Sequence, residues 1–202
     1  MKVTEKKIVE LKTKHKLNEI VFLFVGQLSK RKGIYQLLES WANFEHTNSV
    51  KSSLLIVGKG PEKENLLNLS KKLNLSSVRF VGAIDYDNIA IYYAAADVFI
   101  IPTLEDNWSL VVPEAMACGL PILCSKYNGC WPELIHQDKN GWIFDPLDSE
   151  STVKCLNLCI ENKNELTKMG INSQEIVKNY SPEKAAGTII RGCEIAMNCL
   201  RN

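Results

Sequence analysis

"EIVFLFVG", residues 19–26, is a short, fully apolar run closed by glycine. Such a run predicts a strand buried on both faces, the kind found inside parallel sheets. The chain then changes period. "KGIYQLLESWANF" (32–44) repeats its apolar residues at helical spacing, and "SLLIVG" (53–58) is a second buried strand. "PEKENLLNLSKKLNL" (61–75) follows as a helix with Pro and Glu in its first turn. "SVRFVG" (77–82), "YDNIAIYYAAA" (86–96), "DVFII" (97–101), "SLVVPEAMACG" (109–119) and "PILCS" (121–125) continue the alternation. "GWIFDP" adds a short strand beyond Asn140, and residues 148–162, 164–179 and 181–201 read as helices. Strands alternating with helices imply an α/β fold, a Rossmann-like doubly wound parallel sheet with right-handed crossovers.

The totals fit one globular domain. Of 202 residues, 46% are apolar and 23% charged, which disfavours disorder. Twenty-four basic against 23 acidic residues leave a net charge of +1, so nothing in the balance draws the chain to nucleic acid. The seven cysteines (Cys118, Cys124, Cys130, Cys155, Cys159, Cys193, Cys199) form no C-x-x-C pair, and His15, His46 and His136 lie far apart. Reduced, mostly buried thiols are expected, with no metal site. No long apolar segment predicts a membrane span and residues 1–16 lack a signal-peptide core, so a cytoplasmic location is expected. The lysines of residues 2–16 form a solvated helix face, peripheral membrane contact being the alternative.

Ligands on such sheets bind beyond the carboxyl ends of the strands, which makes 26–33, 58–61, 82–86, 102–109 and 125–133 the loops to inspect. "GQLSKRKG" (26–33) puts Lys30, Arg31 and Lys32 at the expected start of a helix. Cations there oppose the helix dipole by roughly 0.3–1 kcal/mol each, a conflict that an anionic ligand would remove; a solvated basic turn is the equal alternative. "VGKGPEKE" (57–64) has a G-x-G without the third glycine, and reads as a turn before a helix. "YNGCWPE" (127–133) reads as a turn with Cys130 and Trp131 packed into it, Cys130 as a structural thiol; His136 sits in an exposed turn.

"LEDNWSLVVPEAMACGLPIL" (104–123) carries Asp106 in the loop after strand 97–101 and Glu114 about one turn into the next helix, with seven residues between them. The N–H groups of Ser109, Leu110 and Val111 are the unpaired donors at that helix start. Bare donors flanked by carboxylates suit a ligand having both phosphates and hydroxyls. The local alternative is that Asp106 or Asn107 caps the helix while Glu114 faces solvent.

In order along the chain, "FLFVGQLSKRKG", "LLIVGKGPEKENL", "VRFVGAID", "YYAAADVFIIPT", "DNWSLVVPEAMACGLPIL", "NGCWPELI" and "NGWIFDP" resemble the retaining glycosyltransferases of the GT-B fold, group 1 (family 4). The resemblance runs from about residue 17 to 201 and implies the C-terminal donor-binding domain, with residues 1–16 as an inter-domain or N-terminal helical segment and 17–202 as the nucleotide-sugar-binding domain. It implies that Asp106 contacts the donor sugar near the reacting centre and Glu114 the ribose. Backbone N–H groups at Leu110 and Val111, near Ser109, would hold the diphosphate. Lys32 would neutralise that leaving group beside Gly26, Gln27 and Arg31, and Ile84 would offer a backbone contact to the base. Three positions depart from the family: Asp106 for the usual Glu, Gln27 for Arg, and one extra residue in "NGCWPE".

The expected function follows from the resemblance. It is transfer of a sugar from a nucleotide diphosphate sugar to an acceptor hydroxyl with retention of configuration, without a metal or other cofactor, in the building of a polysaccharide or other glycoconjugate. The expected partner is an N-terminal acceptor-binding domain, in cis or in trans. The rival is a non-catalytic nucleotide-sugar-binding subunit or scaffold domain; a sugar-nucleotide epimerase of the same fold is a second rival, disfavoured by the spacing of the two acids.

Overall fold

The structure is a computed structural model describing residues 3–199, with backbone only at Pro182 and Cys199. Met1, Lys2, residues 200–202, which include the end of the helix expected over 181–201, and the Cys199 thiol lie outside the described residues.

Six parallel strands form the sheet: β1 (Ile20–Val25), β2 (Ser52–Val57), β3 (Val78–Gly82), β4 (Val98–Ile101), β5 (Ile122–Ser125) and β6 (Gly141–Phe144). Their spatial order is β3-β2-β1-β4-β5-β6. β1 is central, pairing residue for residue with β2 (Phe22 opposite Leu54) and on its other edge with β4 (Phe22 opposite Val98). Successive strand side chains point to opposite faces, so burial of all of Val21, Phe22, Leu23 and Phe24 requires cover on both sides. That is the physical reason for the unbroken apolar run. The "GWIFDP" segment adds β6, held parallel to β5.

The cover comes from α1 (Glu5–Lys14), α2 (Ile34–Thr47), α3 (Lys63–Lys72), α4 (Tyr86–Ala94), α5 (Val111–Ala117), α6 (Ser149–Glu161) and α7 (Leu166–Val177). α2 packs on α3 and α6, while α1 packs on α4 and α5 on α7. Trp41 anchors the α2 side, with Phe22 and Phe44 at ring separations of 5.3 and 5.1 Å. Its indole N–H donates to Ser77 Oγ at 2.9 Å, satisfying the one polar atom that burial would strand. At the amino ends of the strands, Val21 N–H donates to Asp97 Oδ2 at 2.8 Å.

α8 (Pro182–Cys199) leaves Ile189, Ile190, Ile195 and Met197 exposed. Among the described residues no helix is long and apolar enough to cross a membrane. Of the six described cysteines Cys124, Cys130, Cys155 and Cys159 are buried, while Cys118 and Cys193 are exposed.

Strand order reverses between β1 and β4. Chain leaving β1 runs toward β2, and chain leaving β4 runs toward β5, so their loops diverge and open a crevice at the carboxyl edge.

Candidate functional site

Two loops meet at that crevice. After β1, Lys30–Lys32 form a short 3-10 turn that ends at Gly33, and α2 starts only at Ile34. The three cations therefore do not sit in the first turn of α2, as the helical periodicity had suggested. The cause is tertiary. Gly33 takes φ +68°, and a Cβ there would lie 1.9 Å from the carbonyl oxygen of Pro102, so the loop after β4 presses on a left-handed position only glycine fills cheaply. The contact is reinforced by Leu104 N–H donating to Arg31 O at 2.8 Å and Thr103 Oγ1 to the same oxygen at 3.1 Å.

Across this seam Lys32 Nζ donates to Asp106 Oδ2. Lys32 is 8% exposed and the Asp106 side chain 12%, so the pair is largely shielded from water. Arg31 stands farther off, its Nη1 3.9 Å from Asp106 Oδ2 and 3.2 Å from Glu105 O. Ser109 Oγ donates to Asp106 Oδ2 at 2.6 Å, and Asn128 Nδ2 donates to Ser109 Oγ at 2.9 Å. Asn128 Oδ1 in turn accepts from Cys130 N–H at 3.0 Å. Burial alone would raise the Asp106 pKa, but the bonds from Lys32 and Ser109 and the Lys32 and Arg31 charges outweigh it and hold it below its ordinary value. The contacts from Lys32, Arg31 and Ser109 converge on Oδ2. Asp106 makes no cap for α5, so the local capping alternative is not the one adopted.

Asn128 ties the loop after β5 into the same network, and Gly129 N–H donates to Asp106 O at 2.8 Å. Cys130 is fully buried, and burial pushes its thiol up to about 11, which makes it a poor nucleophile. Trp131, expected to pack into the loop, is instead 41% exposed. His136 lies in an exposed turn ordered by Asn140, whose Oδ1 accepts from His136 N–H at 2.7 Å.

Beside this network, at the carboxyl ends of β1, β2 and β3, opens a cavity of about 610 Å³. Val25, Val57, Ile84 and Ile89 make its walls apolar, Gly26 and Gly58 floor it, and Glu114 enters from α5. Gly58 lies so close to β1 that a Cβ would meet Gly26 O at 1.8 Å. Glu114 Oε2 accepts from the hydroxyl of Tyr93, a 1% exposed residue of α4, at 2.9 Å. Burial, followed by the neighbouring Glu114 charge, holds the Tyr93 phenol far above its ordinary value, so it stays protonated and donating.

The expected binding set thus divides. Gly26, Gln27, Ile84 and Glu114 line the cavity. Arg31, Lys32, Asp106 and Ser109 belong to the polar seam next to it, while Leu110 is exposed and Val111 half-buried at the start of α5. The N–H groups of Ser109, Leu110 and Val111 find no acceptor among the described residues. α5 is shorter than the periodicity predicted, running from Val111 to Ala117. Sequence reasoning did not find Tyr93 or Asn128, and read Gly58 and Gly60 only as a turn although both face the cavity. No group of three or more His, Cys, Asp or Glu placed to hold a metal occurs among the described residues.

The family model described as glycosyl transferases, group 1, matches residues 6–176. An uncharacterized glycosyltransferase of Haemophilus influenzae is 33% identical over 170 residues, 84% of this chain and 47% of its own length. Sucrose-phosphate synthase of Thermosynechococcus elongatus superposes with a TM-score of 0.78 at 27% identity, over 96% of this chain and 51% of that one. HepE of Anabaena, in a structure with UDP-glucose, superposes with a TM-score of 0.76 at 25% identity, over 88% of this chain and 49% of that one. The chain spans about half the length of each of these proteins.

Proposed function

The chain belongs to the group 1 glycosyl transferases, and from that premise we propose that it is the donor-binding domain of an enzyme that moves a sugar from a nucleotide diphosphate sugar to an acceptor hydroxyl. One observation carries the reading. Glu114 enters a largely apolar cavity, while Asp106, eight positions earlier, pairs with Lys32 at the adjoining seam, so both acids flank the start of α5 at the topological switch point.

The proposed roles follow from the chemistry of each group. The apolar walls take the base, with the backbone at Ile84 reading its edge. Glu114 accepts from ribose hydroxyls. Lys32, helped by Arg31, and the N–H groups of Leu110 and Val111 hold the diphosphate, with Gln27 donating where other members carry Arg. Charge builds on the diphosphate as the anomeric bond breaks, and preorganised donors stabilise it where it develops. Lys32 supplies positive charge at that point, so the scheme requires no metal. Asp106 leaves Oδ1 for a donor-sugar hydroxyl, its Oδ2 being engaged. The acceptor enters on the side of the leaving group, which gives retention of configuration.

Titration with UDP, GDP, ADP and their sugars tests the reading. At least one nucleoside diphosphate is expected to bind, with Glu114→Ala weakening nucleotide and Asp106→Ala acting mainly on the sugar part. No binding at millimolar concentration of any of them would refute it. Because the chain spans about half the length of its relatives, a binding subunit that turns over only with an acceptor domain supplied in trans is the second reading. Donor hydrolysis or transfer by the chain alone would exclude that alternative.

A further inference from the structure

Within the proposed cavity, Glu114 is the carboxylate that would meet a ribose, and a Glu side chain has three freely turning bonds. Left alone it would sample many orientations, and fixing it would oppose binding. The structure holds it already. Tyr93 Oη donates to Glu114 Oε2 at 2.9 Å, and Tyr93 is itself fixed by burial on α4, with its ring 6.0 Å from that of Phe99. Tyr93 is 1% exposed, and Glu114 rather than Tyr93 lines the cavity, so a ligand there would reach the carboxylate rather than the tyrosine.

We propose that Tyr93 is a positioning residue: its hydroxyl occupies one oxygen of Glu114 and thereby presents the other, Oε1, to the ribose hydroxyls of a bound nucleoside diphosphate. The inference rests on the donor-binding reading above. A buried phenol needs a hydrogen-bond acceptor wherever it lies, and a backbone carbonyl would satisfy it. Here the acceptor is instead Glu114, the one carboxylate that lines the cavity among the described residues. A hydrogen bond to a charged group is stronger than one between neutral partners, so the bond restrains Glu114 as well as satisfying Tyr93.

The test is ribose discrimination, which a merely structural tyrosine would not move. The probe is whichever of UDP, GDP and ADP binds the wild-type chain most tightly, compared with its 2′,3′-dideoxy form by calorimetry. The wild type is expected to prefer the ribose form by about tenfold or more. Tyr93→Phe keeps the ring packing and is expected to bring that ratio down at least threefold, with affinity for the dideoxy form unchanged. Glu114→Gln is expected to abolish most of the preference, and adding Tyr93→Phe to it should change little more, because the two act as one unit. An unchanged ratio in Tyr93→Phe overturns the proposal, as does a Glu114→Gln chain that keeps the full preference. A Phe variant too unstable to titrate also counts against it, since the hydroxyl would then be a requirement of folding. Failure of the wild type to bind any of the three nucleotides refutes the donor-binding reading itself. Binding without ribose preference refutes only the role of Tyr93 and Glu114.

Discussion

Replacing Asp106 by Asn removes the charge opposite Lys32 while keeping the shape and an oxygen that can accept. Lys32 is 8% exposed and the Asp106 side chain 12%, so the lysine has little water to turn to. Removing one partner of a fully buried pair costs roughly 3–5 kcal/mol. The retained hydrogen-bond acceptor and the residual exposure reduce that here to about 2 kcal/mol, or about 4–8 °C in Tm for a chain of this size. Calorimetric melting at neutral pH reads it. Lys32→Met combined with Asp106→Asn removes both charges and should recover at least half of the loss, because no uncompensated charge remains. The ligand provides a second limb. If Lys32 faces a diphosphate, that anion replaces the missing charge, so saturating nucleoside diphosphate should raise the Tm of Asp106→Asn by more than it raises that of the wild type. Asp106→Asn melting within about 1 °C of wild type would refute the electrostatic reasoning. An equal ligand shift in the two proteins would remove Lys32 from the phosphate site.

Three further outcomes follow from the same geometry. The Asp106 pKa is lowered on folding, so its contribution is present above the unfolded value of about 3.9 and is lost as pH falls through the folded one. The stability gap between wild type and Asp106→Asn should accordingly narrow as pH falls below about 4, as measured by urea unfolding, and a gap that stays constant or widens as pH falls would contradict this. Gly33→Ala puts a methyl group on the Pro102 carbonyl at φ +68° and should destabilise by more than about 2 kcal/mol; a value under 0.5 kcal/mol in urea melts would show that the seam yields easily. Among the described thiols, labelling with peptide mapping should find Cys193 modified first in the folded chain. Cys118 should react more slowly, because burial around its sulfur and then Glu114 raise its pKa, and Cys124, Cys130, Cys155 and Cys159 should react only on unfolding. Early modification of Cys130 would mean that the loop after β5 opens readily.

Much of the fold could be read locally because a strand covered on both faces needs no polar alternation. β1 and β4 stand as contiguous apolar runs and β2 as one after two buried serines, and punctuation by Gly and Pro marks their ends. The start of α2 could not be read this way. Periodicity carries back through Lys32, but Gly33 must turn left-handed against Pro102, a contact made by residues far along the chain. The two acids were visible through their spacing and their place after a strand. Tyr93 and Asn128 were not. Tyr93 sits in an apolar helix, where a tyrosine looks like packing, and finds Glu114 21 positions away; Asn128 sits in a turn, where asparagine is expected anyway, and finds Ser109 at a separation of 19. Trp131 was misplaced because its loop folds around Cys130 and Asn128, leaving the indole at the surface.

The seam between the loops after β1 and β4 also fixes when the site comes into being. Lys32 and Asp106 are 74 positions apart, and Thr103 reaches Arg31 across 72. Closing so long a segment is entropically opposed until β4 has zipped onto β1, since the seam alone offers too few contacts to hold the ends together. A nascent chain that has emerged only through α4 would already own the apolar walls of the cavity, Ile84 and Ile89 included, yet neither carboxylate. Assembly of the acidic half therefore waits for the chain beyond β4, and a chain folded only through α4 presents a groove that carries Gln27 and Lys32 but not the two carboxylates.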